Sequence, residues 1–346
     1  MQKIVQTDQN VIDEVERTRW QRLAITFAKD WRLYVLLIPM LAFLVCFKYL
    51  PIGGILTGFK WGDDLSPVND QWCGFRWLLD VIVGDNSEIF WKAFRNTFVN
   101  SMYGLLFGFP IPIILALLFS EIKSQAYRSF LQVSCYLPHF ISVVVVTTII
   151  ELWCQGESQL VSPGVLFKVF QALGINTKEN GEAFTTTILD HPKFFRPIYQ
   201  ISGIWEGAGY GSIVYFAAIL AISPTSYEAA RIDGASKLQQ IRYVTFPGMA
   251  PTLTVMLIMR IGQILNVGYE KIILLCGTND NVWENAEVIS TYVYKMSGRG
   301  GGQVSGGNQP IQQIGIVMDI FNALLAMFLV LGANAISRRV SSTSLF

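Results

Sequence analysis

The chain has 346 residues, of which 52% are apolar and 15% charged, and its formal net charge is +1. Soluble domains carry about 25% charged residues, so the composition indicates a membrane protein rather than the roughly two soluble domains that the length would allow. The balanced charge gives no sign of nucleic-acid binding. Five cysteines without a C-x-x-C pair argue against a disulfide scaffold or a zinc site, and two histidines leave little for histidine catalysis.

Six apolar stretches reach the roughly 20 residues that a helix needs to cross about 30 Å of hydrocarbon. Proline and glycine within them do not exclude a span, because neighbouring helices satisfy the backbone groups that these residues free. We therefore predict an all-α integral membrane protein with six transmembrane helices, at residues 34–57, 100–119, 131–153, 198–222, 252–272 and 314–336.

Lys and Arg residues near the membrane predict the orientation, because short cytoplasmic segments are enriched in them. The lead, residues 1–33, and the tail, residues 337–346, are both basic, and the short loop after the second span carries Lys123 and Arg128. We therefore expect both termini in the cytoplasm and a permease domain at 34–336. Within the lead, residues 11–27 mix apolar and charged positions, as in an amphipathic helix on the membrane surface. A frayed tail is the alternative.

A polar segment, residues 223–251, separates the fourth and fifth spans and carries clear helix-boundary signals. Thr225 and Glu228 have capping-box spacing, so we expect a helix to start at Thr225. Gly234 suits a C-terminal cap, and Ser236 repeats the capping-box spacing for a second helix that Pro247 ends. The prediction is two short helices joined at a glycine elbow outside the hydrocarbon.

Small side chains around the elbow suggest a surface that docks into a groove on another protein. Because these side chains protrude little, the elbow backbone can approach the partner closely. These residues are Ala229, Ala230 and Ala235. We expect Glu228 and Asp233 to hold the elbow through backbone amides or a nearby cation. The alternative is an ordinary amphipathic loop between two membrane helices.

The elbow segment resembles the EAA loop of the membrane subunits of bacterial ATP-binding-cassette importers. Their pattern, E-A-A-x-x-D-G-A followed by a proline about a dozen residues later, matches Glu228, Ala229, Ala230, Asp233, Gly234, Ala235, Pro247 and Pro251. Residues 31–39, 47–51, 265–270 and 288–294 are similar to the oligosaccharide and polysaccharide-fragment branch of sugar permeases. The glycine-rich residues 297–307 depart from that pattern.

The resemblance implies a coupling loop that docks into a separate ATPase. It also implies a second homologous permease subunit, two ATPase subunits and an extracellular sugar-binding protein as partners. The chain contains no G-x-x-x-x-G-K-[ST] motif, so ATP is expected on the partner ATPase, with no cofactor or metal in this chain.

Charged and amide side chains within the predicted spans are candidates for a substrate path, because charge in hydrocarbon is costly. Glu206 and Arg260 differ in depth by roughly 6 Å, counted at about 1.5 Å per residue, which fits an ion pair, separate cavity contacts or a plain packing pair. A sugar-binding path needs aromatic side chains that stack on the sugar rings and amide side chains that hydrogen-bond the hydroxyls. Trp205, Tyr210, Gln263 and Asn266 meet that description, although packing between helices explains each alone.

The functional prediction is therefore a permease subunit of an ATP-driven importer for carbohydrates, and the resembling branch implies oligosaccharide cargo. An ion-gradient-driven secondary transporter is the alternative, although the sequence shows no clear internal repeat. An intramembrane enzyme would need a nucleophile and a base at matching depth, and no such pair stands out.

Overall fold

The structure is a computed structural model that describes residues 19–60, 71–157, 162–175, 187–277, 280–296 and 312–340. The chain divides into two compact units, Met1–Thr57 and Gly58–Phe346. The predicted surface helix at 11–27 is described only from Arg19 onward, and the glycine-rich residues 297–307 lie outside the described residues.

The described residues confirm the all-α prediction, since their only β element is one isolated bridge between Lys60 and Trp72. The α-helices, in chain order, are α1 Arg19–Leu44, α2 Arg76–Val83, α3 Ser87–Gly108, α4 Pro110–Glu121, α5 Gln125–Tyr136, α6 Val143–Cys154, α7 Val165–Ala172, α8 Pro192–Leu220, α9 Pro224–Ile232, α10 Lys237–Gln240, α11 Phe246–Gly262, α12 Tyr269–Cys276, α13 Asp280–Ala286, α14 Ile289–Met296 and α15 Gln312–Val340.

The described part of the first unit, residues 19–57, is one long helical stretch. Helix α1 is interrupted at Asp30 and continues through a π turn, Val45–Tyr49, into a 3₁₀ helix that ends at Phe59. Residues 28–59 have a mean hydropathy of 2.2 over their most apolar window, and Leu36 and Leu50 are 75% and 70% exposed. Such exposed apolar side chains require a lipid or protein environment, as expected for the first predicted span.

Among the described residues, four helical stretches are long and apolar enough to cross a membrane, and two bent helix pairs bring the possible number to six. The four are Ala28–Phe59, Ser87–Glu121, Lys237–Gly262 and Gln313–Arg339. The first, second and sixth predicted spans lie within three of these stretches, and the fourth lies largely within α8.

The third predicted span, 131–153, is wrong as a single helix. Gln125–Phe140 and Val143–Cys154 meet at an angle of 93°. Pro138 lies just before the bend, and Ile141 and Ser142 have extended backbone conformations. The proline removes a backbone donor and favours an end to the helical ladder, so the chain turns here.

The fifth predicted span, 252–272, is also wrong as a continuous helix, because α11 ends at Gly262 and residues 263–268 form turns before α12. The turns leave backbone carbonyls without helical partners. The Ser290 hydroxyl donates to the carbonyl of Val267, and the Asn322 amide donates to that of Leu265. Protein groups thus satisfy this irregular backbone, as a membrane protein requires.

Helix α8 is central to the second unit, because it packs against α3, α4, α5, α11 and α13. The described residues of this unit form three apolar clusters. One joins α6, α7, α12 and α13, a second joins α2, α3, α14 and α15, and a third joins α4, α8 and α11. The third cluster holds α8 and α11 side by side next to the 223–251 segment.

Helices α8 and α5 approach each other closely at Gly209. A Cβ added there would lie 2.0 Å from the backbone oxygen of Cys135, a distance that no side chain tolerates. Only glycine lets the two backbones come this near.

We therefore expect Gly209→Ala to lower the Tm of the purified protein, because relieving the contact costs about 1–3 kcal/mol of overpacking. The control is Gly332→Ala in α15, where an added Cβ meets no atom within 4 Å. This control should leave Tm unchanged or raise it slightly, since alanine favours helix. Equal Tm values for both variants would contradict the close approach.

Candidate functional site

The 223–251 segment begins with α9, and its start differs from the prediction. Ser223 rather than Thr225 is the N-cap residue, and Pro224 occupies the first helical position. The Ser223 and Thr225 hydroxyls lie 2.6 Å apart, and the Thr225–Glu228 capping box is absent from this described segment. The proline explains the difference, because its fixed φ suits the first helical position and starts the helix earlier.

The elbow at Gly234 is confirmed. Gly234 has φ +75°, the left-handed region that favours glycine. The Ala235 amide donates to the Ala230 carbonyl at 2.9 Å, and the Gly234 amide donates to that of Arg231 at 3.1 Å. These two bonds are the Schellman motif, which satisfies the last carbonyls of α9 and sets the direction in which the chain leaves it.

The second helix begins with the predicted capping box. The Ser236 side chain accepts from the Gln239 amide, and the Gln239 side chain accepts from the Ser236 amide. The buried Gln240 side chain also donates to the Ala235 carbonyl at 3.0 Å. The elbow is therefore held by hydrogen bonds on both sides of Gly234.

The prediction that Pro247 ends this helix is wrong, because Lys237–Gly262 runs as one helical stretch of 26 residues. A π turn, Ile241–Thr245, precedes α11, and the Phe246 amide donates to the Ile241 carbonyl at its end. Pro247 lies in the first turn of α11 and Pro251 lies inside it. The wider turn accommodates a proline that an ordinary helical turn would exclude.

The side chains of the elbow are largely exposed. Glu228, Ala229, Asp233 and Gly234 are exposed, whereas Ala230 and Ala235 are half-buried. The prediction that Glu228 and Asp233 hold the elbow is wrong. Neither side chain has a hydrogen-bond or ion-pair partner among the described residues, because the backbone bonds described above satisfy the helix ends.

Apolar side chains beside the elbow are also exposed: Ile232 by 86%, Leu238 by 79% and Tyr243 by 67%. A cluster of this kind, rimmed by charged residues, is typical of a protein-interaction surface.

The elbow is tied to the neighbouring helices. The Tyr227 and Thr245 hydroxyls lie 3.0 Å apart and join α9 to the π turn. Lys237 pairs with Glu121 at the end of α4 at 2.6 Å. An added Cβ at Gly248 would lie 2.7 Å from the Ile222 side chain, so α11 starts in close contact with the end of α8. A shift of the elbow would therefore also move the ends of α4 and α8 and the start of α11.

A polar cavity of about 310 Å³ lies farther along α8 and α11 and is also lined by α3 and by residues 263–268. Of the predicted path residues, Glu206, Arg260, Gln263 and Asn266 line it. Its volume is at the lower end of the range of small-molecule sites, about 300–1,000 Å³.

The cavity contains an ion pair between Glu206 and Lys271, whose side chains are 19% and 12% exposed. The predicted Glu206–Arg260 pair is therefore wrong. Because the chain turns at 263–268, Lys271 of α12 comes back toward α8. Sequence reasoning missed Lys271, although a lysine in the last turn of a predicted span was a usable signal.

Asn100 of α3 is a second lining residue that the sequence did not single out. It is 2% exposed, and neither its side-chain oxygen nor its side-chain nitrogen has a hydrogen-bond partner. Its backbone carbonyl accepts from the Gln200 side chain at 2.8 Å. A buried amide without partners is unfavourable, so a ligand or water in the cavity would be needed to satisfy it.

Trp205 and Tyr210 are not among the residues that line this cavity. Tyr210 stacks on His139 with ring centroids 4.0 Å apart, beside the bend between α5 and α6, and Trp205 is 51% exposed. The described residues contain no group of three or more His, Cys, Asp or Glu side chains that could hold a metal ion.

Comparison with known proteins identifies the family. Residues 108–275, which carry both the elbow and most of the cavity, match the family described as "Binding-protein-dependent transport system inner membrane component". The chain is 33% identical over 322 residues to Protein LplB of Bacillus subtilis (strain 168), covering 92% of each chain. The chain belongs to this family. It is a multi-pass inner-membrane permease component of an ATP-binding-cassette importer that works with a binding protein.

Two further similar proteins support the assignment to this family. It is 30% identical over 332 residues to the polygalacturonan/rhamnogalacturonan transport system permease protein YteP of the same organism, covering 96% of this chain and 95% of YteP. A crystal structure of a bacterial transporter for the acidic polysaccharide alginate matches with a TM-score of 0.77 and 37% identity, over 93% of this chain and 100% of that one. The alternative of a secondary transporter is therefore wrong.

The ion pair makes a testable prediction for the permease. Glu206→Lys or Lys271→Glu alone should lower Tm markedly, because each places two like charges together in a partly buried site. The double exchange should return Tm close to the wild-type value. The control cycle is Glu121 with Lys237, whose exposed pair should show a coupling below about 1 kcal/mol. A double exchange as unstable as the sum of its singles would contradict the pairing.

Proposed function

We propose that this permease imports oligosaccharides, and that its elbow couples the cavity to a separate ATPase. One observation carries the proposal: the exposed elbow segment connects α8 to Lys237–Gly262, the two helical stretches that also line the polar cavity. The relatives support the cargo class, since YteP is named for polygalacturonan and rhamnogalacturonan and the solved transporter for alginate. Amide side chains in the cavity suit sugar hydroxyls.

The proposed topology has six crossings with both termini in the cytoplasm. The four unbent stretches supply four of these crossings. Helix α8 supplies the fifth, and the bent helix pair at residues 125–154 supplies the sixth. Basic residues support the orientation, because Arg338 and Arg339 end α15, and Lys123 lies in the short connection between α4 and α5. This orientation puts the 223–251 segment in the cytoplasm.

In the proposed mechanism, the ATPase binds the elbow and moves it on closing around nucleotide. A helix of 26 residues is about 39 Å long, which exceeds the thickness of the hydrocarbon core. Since Lys237–Gly262 is continuous, displacement at Lys237 is carried along the stretch to Arg260 at the cavity. Helix α8 responds as well, because Ile222 touches Gly248. The cavity thereby opens alternately to the two sides.

The proposed assembly contains this chain, a second homologous permease, two ATPase subunits and an extracellular sugar-binding protein. The solved alginate transporter, which was also crystallised with a pentasaccharide-bound periplasmic protein, supports the last partner. The chain has no phosphate-binding G-x-x-x-x-G-K-[ST] motif, so the ATPase subunits supply the nucleotide site.

Reconstitution of the purified complex in proteoliposomes tests this function. We expect loaded binding protein to stimulate ATP hydrolysis and to drive sugar uptake that needs ATP inside and no ion gradient. Ionophores that collapse proton and sodium gradients serve as the control and should leave uptake intact. Uptake that follows an ion gradient without ATP would contradict the proposal.

The elbow supplies a separate prediction. Gly234→Val should reduce uptake at least tenfold while ATP hydrolysis continues, because a β-branched residue resists the φ of +75° and the elbow loses its direction. Gly332→Val, at a helical glycine with open space around it, is the matched control for the substitution itself. If Gly234→Val retained tight coupling, the elbow would not be the transmitting element.

A further inference from the structure

Helix α2, between the first two membrane stretches, carries an exposed apolar stripe. Phe75, Leu79 and Val83 follow one another at four-residue spacing, and they are 65%, 62% and 77% exposed. Residues at this spacing lie on one face of a helix. Trp72, just before the helix, is exposed to the same extent as Phe75. We call these four residues the α2 stripe. Apolar exposure of this kind requires a lipid or protein environment.

The opposite face of α2 is packed on protein, which fixes the orientation of the stripe. Val81 is buried and Trp77 packs beside it, in the apolar cluster that joins α2, α3, α14 and α15. Around the helix, one edge of the stripe adjoins the polar side chains of Arg76 and Asp80, whereas the other edge adjoins apolar Ile82. A helix with an apolar face and a polar edge is suited to lie along a membrane surface.

Two contacts place α2 at the level where membrane spans end. Phe59, the last residue of the first apolar stretch, stacks on Trp72 with ring centroids 5.8 Å apart. Next to it, an added Cβ at Gly58 would lie 2.9 Å from the side chain of Ile316, which lies near the start of α15. The stripe is therefore level with the ends of two membrane stretches and is not raised far into water.

Tryptophan side chains around α2 favour a lipid boundary over a dry protein interface. The Trp77 indole N–H donates to the Lys60 carbonyl at 3.2 Å, and that of Trp91 in α3 donates to the Ile82 carbonyl at 3.0 Å. Trp91 is itself exposed, so the stripe continues onto the outer surface of α3. Amphipathic indole rings at the ends of spans are typical of the boundary between membrane and water.

The next stretch of the chain shows on which side of the membrane α2 lies. Helices α3 and α4 form one apolar stretch, Ser87–Glu121, that begins directly after α2. Its far end, Glu121, pairs with Lys237 beside the elbow. Helix α2 therefore lies at the end of this stretch that is remote from the elbow.

From these observations we propose that α2 is a membrane-surface helix, whose stripe lies at the headgroup boundary of the leaflet opposite the elbow. Its partner is the lipid surface. Trp77 and Val81 hold the helix on the protein so that the stripe faces that surface. The connection between the first two spans therefore rests on lipid and is not a docking surface for the sugar-binding protein. This inference goes beyond the proposed function and holds whichever sugar is carried.

Site-specific photocrosslinking tests the partner in the complete transporter complex with its binding protein, in nanodiscs of phosphatidylethanolamine and phosphatidylglycerol. The photoreactive residue p-benzoylphenylalanine replaces Phe75, Leu79 or Val83 in turn, and mass spectrometry identifies the adducts. We expect phospholipid adducts at all three positions. Phe328, exposed midway along α15, is the control for lipid contact, and Ile232 in the elbow is the control for an exposed apolar residue outside the spans.

A second measurement uses the native side chain of Trp72. Its fluorescence is the difference between the wild type and Trp72→Phe, which keeps an aromatic ring against Phe59. Lipids brominated near the headgroup should quench this signal at least about twofold more than lipids brominated near the chain end, because an interfacial side chain enters the boundary by only about 5–10 Å. Trp283→Phe, at a buried position, is the matched control and should give a difference signal that neither lipid quenches.

Three results would overturn the inference: adducts of the stripe positions to the binding protein or the second permease instead of lipid, lipid labelling no stronger than at Ile232, or quenching of Trp72 that is no greater for the headgroup-brominated lipid. Adducts of Ile232 to the ATPase, and ATP-driven uptake, report separately on the proposed function. Both can persist when the stripe fails to label lipid, so the two failures are distinguishable.

Discussion

The left-handed backbone at Gly234 is the constraint on which the rest of the 223–251 segment depends. Its φ of +75° allows two Schellman hydrogen bonds to close α9, and the Ser236–Gln239 capping box can then begin the next helix immediately. With both helix ends satisfied, the elbow needs no side-chain contact from Glu228 or Asp233. Those side chains, together with exposed Ile232 and Leu238, remain available to a partner protein.

Polar groups in the transmembrane part fall into two classes with different consequences. Glu206 pairs with Lys271, and the Ser290 hydroxyl and the Asn322 amide nitrogen donate to the open backbone at 263–268, whereas the Asn322 side-chain oxygen has no partner among the described residues. Arg260 and the Asn100 side chain are not satisfied by described residues. Such groups are costly in a membrane protein unless a ligand or a partner completes them, so the second class gives the candidates for a functional role.

Much of this architecture can be predicted from the sequence, because hydropathy and helix-capping residues determine the helices in which they lie. Apolar runs locate four of the six predicted spans in long helices, and Gly234 and Ser236 correctly mark the elbow. The incorrect prediction that Glu206 pairs with Arg260 has a structural cause. Counting depth along residues 252–272 assumes one straight helix, whereas the turn at 263–268 brings Lys271 to the place expected for Arg260. Asn100 and the stacking of Tyr210 on His139 depend on which helices meet, and no local pattern encodes that.

The contact between Gly209 and the Cys135 backbone limits how α8 can move during transport. Because the two backbones touch there, sliding α8 past α5 would force them apart, whereas rocking about the contact keeps them packed. Gly209 directly follows the cavity residues 206–208, and Leu220 lies eleven residues beyond it, about 16 Å along the helix. Because the contact lies beside the cavity, any rocking of α8 about it displaces the Leu220 end by more than the residues that line the cavity.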